Sequence, residues 1–301
     1  MELVSVIITT YGEPKYLKNA ILSVLNQTYQ NIQLIVVDDN DNNTQNRLET
    51  EILVEELRRL KKFEYYKHDR NRNGAYARNT GIKYATGEYI SFLDSDDAYF
   101  LNRIEVIISR LPSSGHMGAY SGCLFKYMRS EKAKRKAVSG NFLYKTLCTS
   151  FNFYTGSNLF IKKTIVDELK GFDVDFIRHQ DYEFLARYFS KGYTLLGISE
   201  ILVIKNNINL NLPNIDKMKI VKRLFLEKFR TEILRYSRIK QKVIRNEHLL
   251  QLLLMKNDSR KLFKYVLEFT QIILSTPIFG IKKTPRFVYK LMILIGGKNA
   301  I

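Results

Sequence analysis

The sequence is poor in cysteine and histidine, and this scarcity excludes several classes of site. Its 301 residues include two cysteines, Cys123 and Cys148, without the paired spacing of a zinc site or a disulfide framework. We expect both thiols to be buried as small apolar groups in a reducing compartment. The four histidines are scattered along the chain, so we predict no zinc centre and expect each histidine to be a surface or packing residue.

Two glycine-rich nucleotide motifs and long apolar runs are also missing. Neither G-x-x-x-x-G-K-[ST] nor G-x-G-x-x-G occurs, which argues against a P-loop nucleotidase and a dinucleotide oxidoreductase. No uncharged apolar run reaches the ~18 residues of a candidate membrane-spanning helix. The N-terminus enters a strand pattern directly instead of a basic and then apolar pattern. We therefore expect neither a spanning helix nor a signal peptide.

Acidic residues are scarce in the last third of the chain. Residues 205–301 contain 21 Lys and Arg against 6 Asp and Glu, whereas residues 1–204 contain 27 against 24. This asymmetry indicates two regions with different partners. The Asn-rich stretch KNNINLNLPN begins at residue 205 and has the composition of a linker. We predict a catalytic domain over residues 1–205 and a basic, mostly helical C-terminal extension over residues 206–301.

Alternating strand and helix patterns fill the first two thirds. Short runs rich in Val and Ile, at residues 3–9 and 32–37, are typical of parallel strands buried on both faces. Apolar residues at helical spacing follow each run, and another strand is predicted at residues 89–93. Such repeats predict an α/β fold with a mostly parallel central sheet flanked by helices. The basic run RSEKAKRK at residues 129–136 is expected to be a solvated loop.

Polar side chains follow several predicted strands at their carboxyl ends. Thr9 and Tyr11 end the first strand, Asp39 follows the second, and Asp94 and Asp96 follow the strand at 89–93. Open parallel sheets bind ligands outside these ends, so the side chains should share one crevice. A single Asp after a strand is often a turn residue or a helix cap. Such roles explain poorly why polar residues follow three different strands. Clustered carboxylates repel one another, so the D-x-D pair predicts a site for Mn²⁺ or Mg²⁺ that accompanies substrate phosphates.

Three stretches resemble the successive signatures of the inverting family 2 glycosyltransferases. They are VSVIITTYGEPKYLKNAILSVLNQTYQNIQLIVVDDN, NRNGAYARNTGIKYATGEYISFLDSDD and GFDVDFIRHQDYEFLARYFSKGY, and together they span about residues 3–204. The resemblance implies a GT-A fold and a nucleotide-diphosphate sugar as donor, here a UDP-sugar. It also implies a glycan or lipid-linked saccharide acceptor in bacterial capsule, O-antigen or exopolysaccharide synthesis.

The resemblance also implies which residues bind the donor. Thr9, Tyr11 and Asp39 would form the nucleotide pocket, with Tyr11 against the base and Asp39 accepting a hydrogen bond from a base N–H. Asp94 would lie near the ribose and Asp96 would bind the metal that bridges the diphosphate, with Asp94 as a second candidate ligand.

Asp181 is the general base that the resemblance implies. It would take the proton from the acceptor hydroxyl as that oxygen attacks the anomeric carbon and inverts it. Glycosidases need a second carboxylate to protonate the leaving oxygen, but a metal-bound nucleotide diphosphate leaves without one. The alternative for Asp181 is a helix N-terminal residue stabilised by the dipole. The preceding residue is Gln180, where the family usually has an acid. Arg78, within ARN, would line the same pocket, and a surface pair is the alternative for it.

A second departure from the family lies after the last predicted strand. Many relatives have a Tyr-Arg-x-His-like segment there that closes over the diphosphate, whereas this chain has KNNINLNLPN without a histidine. Lys205 or an Asn is expected to take over part of that contact, unless the pocket closes differently. A nucleotidyltransferase on a similar sheet remains an alternative, as does a degenerate sugar-nucleotide-binding module without transfer activity.

The basic last third mixes Lys and Arg with Leu, Ile and Phe. This composition fits helices packed with their cations in solvent, an interfacial surface on anionic lipid, or nucleic-acid binding. The apolar runs at 272–274 and 291–295 favour lipid, so no nucleic-acid partner is expected. Together with the lipid-linked acceptor that the resemblance implies, we expect a cytoplasmic protein that is peripheral on the inner face of the cell membrane.

Overall fold

The computed structural model describes residues 1–206, 214–256 and 261–296, with side chains described as far as residue 292. The chain divides into two compact units. Met1–Phe142 and Asn152–Asn211 form the first unit, and Leu143–Phe151 and Leu212–Ile301 form the second. The sequence did not predict that Leu143–Phe151 would belong with the C-terminal residues. Most of the predicted linker, residues 207–213, lies outside the described residues.

Strands and helices alternate along the first unit, whereas the second is helical. The strands are β1 (Val4–Thr10), β2 (Ile32–Asp38), β3 (Glu64–Lys67), β4 (Tyr89–Asp94), β5 (Ala98–Tyr99), β6 (Gly118–Tyr127), β7 (Ser130–Lys134), β8 (Phe160–Lys162) and β9 (Leu195–Asn206). The helices are α1 (Leu17–Leu25), α2 (Gln45–Leu60), α3 (Gly74–Tyr84), α4 (Arg103–Ile108), α5 (Leu143–Leu147), α6 (Lys163–Glu168), α7 (Gln180–Ser190), α8 (Ile215–Lys228), α9 (Arg230–Leu234), α10 (Arg238–Met255), α11 (Leu262–Ser275) and α12 (Pro277–Gly296).

The first unit is built on one sheet with the strand order β3-β2-β1-β4-β8-β6-β9-β5, and β7 pairs with β6. Strands β1 to β4 are parallel, as is the β6–β9 pair, whereas β8 runs antiparallel to both of its neighbours. The predicted α/β fold is confirmed. The predicted loop at 129–136 was wrong, because residues 130–134 form β7 in a hairpin with β6. Four of its five side chains are exposed, so it lacks the apolar alternation that marks a strand.

Strand β1 is the centre of the parallel half and sets its polar edge. Its apolar side chains are buried because α1 and α3 pack against it, and Gly81 of α3 lies so close to Ile7 that a Cβ there would clash. The register pairs Thr9 with Asp94 of β4, and it pairs Thr10 with Asp38 of β2. The carboxyl ends of three strands therefore meet at one edge of the sheet, as the sequence predicts.

The second unit has its own apolar core. One cluster in it is formed by buried residues of α10, α11 and α12, and they are Leu250, Leu253, Tyr265, Phe269, Ile272 and Phe287. Across the described ranges, no helix combines the length and the apolar character that a bilayer crossing requires.

Lys222 is a buried cation in the second unit. It is 2% exposed, and its Nζ donates to Gln251 Oε1 at 2.6 Å. Burial lowers the pKa of Lys222 from 10.5 to about 8, so folding disfavours its protonated form. This penalty is fully present below pH 8 and disappears as the pH rises towards 10.5, because the unfolded chain then releases its proton as well.

Lys222→Met is therefore expected to raise the free energy of unfolding by up to about 3 kcal/mol below pH 8. Above pH 8 the increase in the free energy of unfolding should be smaller. Gln251 Oε1 keeps a donor in Thr149 Oγ1, at 3.0 Å, so the variant leaves no acceptor unpaired there. Urea denaturation at several pH values measures the difference from wild type. Lys217→Met, an exposed change on the same helix, is the control. A gain in stability independent of pH would contradict the explanation.

Candidate active site

The nucleotide half of the candidate site lies where β1 and β2 end. Thr9 is half-buried in β1, and Tyr11 just beyond it is 62% exposed, which leaves its ring open to a flat ligand. The backbone N–H of Asp39 donates to Thr10 O at 2.9 Å, and the backbone N–H of Gly12 donates to Asn40 Oδ1 at 2.7 Å. These two bonds tie the end of β2 to the turn after β1.

Asp39 is 2% exposed, and donors already surround it. Its Oδ1 is 2.7 Å from His68 Nδ1 and accepts from the Arg72 backbone N–H at 2.9 Å, while Oδ2 accepts from Asn71 Nδ2 at 2.9 Å. Burial raises the pKa of Asp39, and the hydrogen bonds from His68 and Arg72 oppose the rise in part. A carboxylate has about four acceptor positions, and donors of the chain itself already use most of those on Asp39.

His68 is a residue of this site that the sequence analysis missed. It is buried, and its ring links Asp39 Oδ1 to Thr80 Oγ1, which lies 2.8 Å from Nε2. The expectation of a surface or packing role was thus incomplete. A signal was present, because His68 directly follows β3 and so shares the strand-end position of the predicted carboxylates.

The acidic turn after β4 brings three carboxylates together. One oxygen each of Asp94, Asp96 and Asp97 lies within 4.8 Å of the others. Lys205, at the end of β9, approaches this group, with its Nζ 3.3 Å from Asp97 Oδ2 and 4.0 Å from Asp94 Oδ2. Burial by itself lowers the pKa of Lys205, but the three carboxylates outweigh burial and raise it. The cluster therefore has a protein cation beside it.

Asp97 is the most deeply buried of the three, and the chain supplies most of its hydrogen bonds. Its Oδ2 accepts from Ser157 Oγ at 2.6 Å and from Thr155 Oγ1 at 3.2 Å, and its Oδ1 accepts from the Asn206 backbone N–H at 3.2 Å. Burial raises the pKa of Asp97 to about 7, with Lys205 opposing and Asp94 adding to the rise. Asp94 and Asp96 are half-buried and more open to a ligand.

Arg78 links the acidic turn to the start of α7. Its Nη2 donates to Asp94 Oδ1 at 2.7 Å and its Nη1 donates to Gln180 Oε1 at 2.7 Å. Burial alone would raise the pKa of Asp94, but Arg78 and then Lys205 outweigh it, so the pKa of Asp94 is lowered. Gln180, the departure from the family pattern, is thus a neutral acceptor for a guanidinium. A surface pair is the wrong description of Arg78, because it is 9% exposed.

Asp181 lies one residue further along α7, in the field of the same groups. Burial raises the pKa of Asp181, and the charge of Asp94 adds to this rise. The cations Arg78 and Lys205 oppose it, but the net effect is still an increase in the pKa of Asp181. Its carboxylate lies against a short 3₁₀ helix, Gly156–Asn158. A Cβ on Gly156 would be 2.8 Å from Asp181 Oδ1 and 2.9 Å from Oδ2, so a hydrogen at Gly156 makes room for the carboxylate.

Gly156→Ala is expected to displace the Asp181 carboxylate and to lower transfer by roughly 100-fold, since about 1 Å of misplacement can cost that much. A flexible carboxylate can move away from the added methyl, so we expect the fold to persist. Steady-state transfer rates and thermal unfolding measure the two effects. The same change in an Asp181→Asn background should have little further effect on rate. A full 100-fold loss in that background would show that Gly156 acts elsewhere.

The structure thus groups the predicted site residues into two sets. Arg78, Asp94, Asp96 and Asp181 interact directly or through their fields, whereas Asp39 belongs to a neighbouring network with His68. The pairing of β1 with both β2 and β4 places the two sets at the same edge of the sheet. Ser157 and Gly156 were not predicted, because they lie in an irregular stretch without periodicity.

Comparison with known proteins adds a family match and relatives. The sequence model described as Glycosyl transferase family 2 matches residues 5–170. The uncharacterized glycosyltransferase MJ1057 of Methanocaldococcus jannaschii is 31% identical over 211 residues, which are 67% of this chain and 69% of that protein. The Escherichia coli UDP-Glc:alpha-D-GlcNAc-diphosphoundecaprenol beta-1,3-glucosyltransferase WfgD is 31% identical over 182 residues, 60% of this chain and 67% of that protein.

A solved structure supports the fold. The crystal structure of S. aureus TarS 1–349 in complex with UDP-GlcNAc aligns with a TM-score of 0.66 over 98% of this chain and 88% of that chain, at 16% identity. At this identity the likeness concerns the fold.

Proposed function

The chain belongs to glycosyl transferase family 2 and is a nucleotide-sugar-dependent glycosyltransferase, and we propose that it uses a UDP-sugar and inverts the sugar that it transfers. One observation carries this proposal: Arg78 donates both to Asp94 of the acidic turn and to Gln180, the residue before Asp181, and so connects the helix of Asp181 to that turn. WfgD, by its name, uses UDP-Glc, and TarS was crystallised with UDP-GlcNAc, which favours uridine among the nucleotides.

Asp181 would act as the only proton acceptor. Its raised pKa makes it a better base than an ordinary aspartate, provided that it is ionised at the working pH. It would accept the proton of the acceptor hydroxyl while that oxygen attacks the anomeric carbon from the face opposite the diphosphate. The bond from that carbon to the donor phosphate oxygen then breaks, and the diphosphate leaves with its electrons. A single attack from the far face inverts the configuration.

The acidic turn fits a divalent cation. Asp96 and Asp94 are half-buried carboxylates with oxygens close enough to share one ion, and hard oxygen ligands suit Mn²⁺ and Mg²⁺. The ion would supply positive charge to the departing diphosphate. Asp97 is already held by Ser157 and Lys205, so we assign it to orienting the turn.

The nucleotide end and the diphosphate end would be held by different residues. Tyr11 offers an exposed ring for the base, and Thr9 lies near it in β1. Asp39, at the end of β2, would accept a hydrogen bond from a base N–H. Lys205 would be within reach of the donor phosphates because its Nζ lies beside the acidic turn. It would thereby replace part of the contact that relatives make through a histidine-containing segment.

We place the acceptor and the protein at a membrane surface. WfgD acts on a diphosphoundecaprenol-linked sugar by its name, which favours a lipid-linked saccharide acceptor in the synthesis of capsule, O-antigen or exopolysaccharide. Helices α11 and α12 carry exposed apolar side chains, among them Phe263, Leu274, Ile278, Ile281 and Met292. Exposed Lys264, Lys282 and Arg286 lie on the same helices. Apolar and cationic side chains together favour a peripheral contact with anionic lipid on the cytoplasmic face.

Vesicle flotation tests the membrane contact. Wild type should float with vesicles that contain phosphatidylglycerol, and a variant with Phe263→Ser and Ile278→Ser should float less. Leu48→Ser, at an exposed apolar residue of α2, is the matched control. Equal flotation of all three proteins would refute the contact through α11 and α12.

A donor screen with Mn²⁺ tests the transfer function. We expect release of UDP from one UDP-sugar that depends on an acceptor, and a thermal shift with that donor. Release of pyrophosphate would instead identify a nucleotidyltransferase. A thermal shift without nucleotide release, across a set of saccharide acceptors, would favour a sugar-nucleotide-binding module.

A further inference from the structure

A cavity of about 470 Å³ lies among α8, α9 and α10 of the second unit. This volume is within the range of small-molecule sites. None of the residues assigned to sugar transfer lines it. The cavity is therefore a feature that the proposed transfer chemistry does not use.

Apolar side chains make up one part of the lining. They come from all three helices, and they are Leu226, Ile233, Leu234, Leu249 and Leu252. Leu234 and Leu249, which both line this concave surface, are each 54% exposed. A hydrocarbon chain placed there would remove apolar surface of these leucines from water, and this burial is favourable.

Cations make up most of the remaining lining. Lys219, Lys222, Arg223, Arg230 and Arg245 line the cavity, with Glu227 as the acid among the lining residues. Lys219 is paired with Asp216 at 2.8 Å, and Arg223 with Glu227 at 3.6 Å. Arg230 and Arg245 have no ion pair among the residues that the structure describes. A negative group at this cavity would therefore meet two guanidinium groups that folding has not neutralised.

His248 adds a buried polar group with an unused atom. It lines the cavity, is 2% exposed and donates from Nε2 to Leu147 O at 2.8 Å, but within the described part of the chain Nδ1 has no hydrogen-bond partner. Native proteins seldom leave a buried polar atom unpaired, so His248 is an unusual residue among those that line the cavity.

We propose that this cavity binds an anionic lipid, with its phosphate at Arg230 and Arg245 and one hydrocarbon chain along Leu226, Leu249 and Leu252. The apolar lining matches the hydrocarbon chain of such a lipid, and the unpaired guanidinium groups match its phosphate. A ligand with only a chain or only a phosphate would use one of these two features. The inference deepens the proposed membrane contact by giving one lipid molecule a defined site, and it does not depend on the transfer reaction.

Calorimetric titration of the full-length protein with dodecyl phosphate, below its micelle concentration and without donor, tests the site. We expect this probe to bind roughly tenfold or more tightly than inorganic phosphate or dodecyl maltoside, because each comparator has only one of the two features. Arg245→Gln should weaken binding of dodecyl phosphate by roughly tenfold, and Leu249→Trp should block it by filling the space. Lys242→Gln, an exposed cation on the same helix that does not line the cavity, should leave it unchanged.

Three results would overturn the site. The first is an affinity for inorganic phosphate equal to that for dodecyl phosphate, which would show an anion site only. The second is an equal loss of dodecyl phosphate affinity in Arg245→Gln and Lys242→Gln, which would show a diffuse charge effect. The third is a DNA oligonucleotide that binds more tightly than dodecyl phosphate and displaces it. None of these measurements uses the donor or the vesicles, so a failure here is distinguishable from a failure of transfer or of flotation.

Discussion

Asp181→Asn is expected to abolish sugar transfer while leaving donor binding largely intact. The amide has nearly the same shape as the carboxylate, so it fits against Gly156, but it cannot accept the proton of the acceptor hydroxyl. General-base catalysis contributes about 10²- to 10⁴-fold, and in this site no other ionised group is assigned to the step. We therefore expect a loss in turnover of that size.

Acceptor-dependent UDP release measures the first half of this expectation, and calorimetric titration of the donor with Mn²⁺ measures the second. Asp175→Asn, an exposed change in the segment before α7, should behave as wild type in both. If Asp181→Asn lost donor affinity as strongly as turnover, Asp181 would belong to the donor site and the assignment as base would be wrong.

Asp96→Ala is expected to remove the Mn²⁺-dependent part of donor binding, with a loss of roughly tenfold or more in affinity. Asp96 is a half-buried member of the acidic turn. Burial raises the pKa of Asp96, the charge of Lys205 opposes this rise, and the charge of Asp94 adds to it. A carboxylate in that environment is stabilised in its ionised form by an arriving cation. Removing it takes away one of the oxygens that would share the ion.

Thermal shift with UDP, with and without Mn²⁺, reads out this effect without any turnover. Wild type should gain stability from UDP mainly when Mn²⁺ is present, and Asp96→Ala should gain equally little in both conditions. Asp167→Ala, which removes a carboxylate paired with Lys163 on α6, is the control. An unchanged dependence on Mn²⁺ in Asp96→Ala would move the cation site elsewhere or remove it.

Local sequence patterns predicted β1, β2 and β4 of the parallel half, because each of these strands is a short apolar run followed by a polar end. The same rule brought Asp39, Asp94 and Asp96 to the edge where the strands meet. Strand β7 was missed because its side chains face solvent and carry no alternation. Apolar runs and the polar residues that end them are local signals, so the features that depend on them can be predicted from one sequence.

The partners of each site residue were harder to predict, because they come from distant parts of the chain. Arg78 was predicted to line the pocket, but its bond to Gln180 joins residues 102 positions apart. The contact between Gly156 and Asp181 depends on an irregular turn for which no periodic signal exists. His68 could have been found from its position after β3, but a lone histidine after a strand has many ordinary explanations.

The contact between Lys205 and Asp97 has a consequence for the order in which the chain folds. These residues are 108 positions apart, whereas β1 to β4 come from the first 94 residues. The chain is synthesised from its N-terminus, so β1 to β4 are available for pairing before β9 has been made. The first four strands can pair while the acidic turn still lacks Lys205. We expect the early sheet to carry this turn without that cation, and the chain to become competent for catalysis only when β9 joins the sheet.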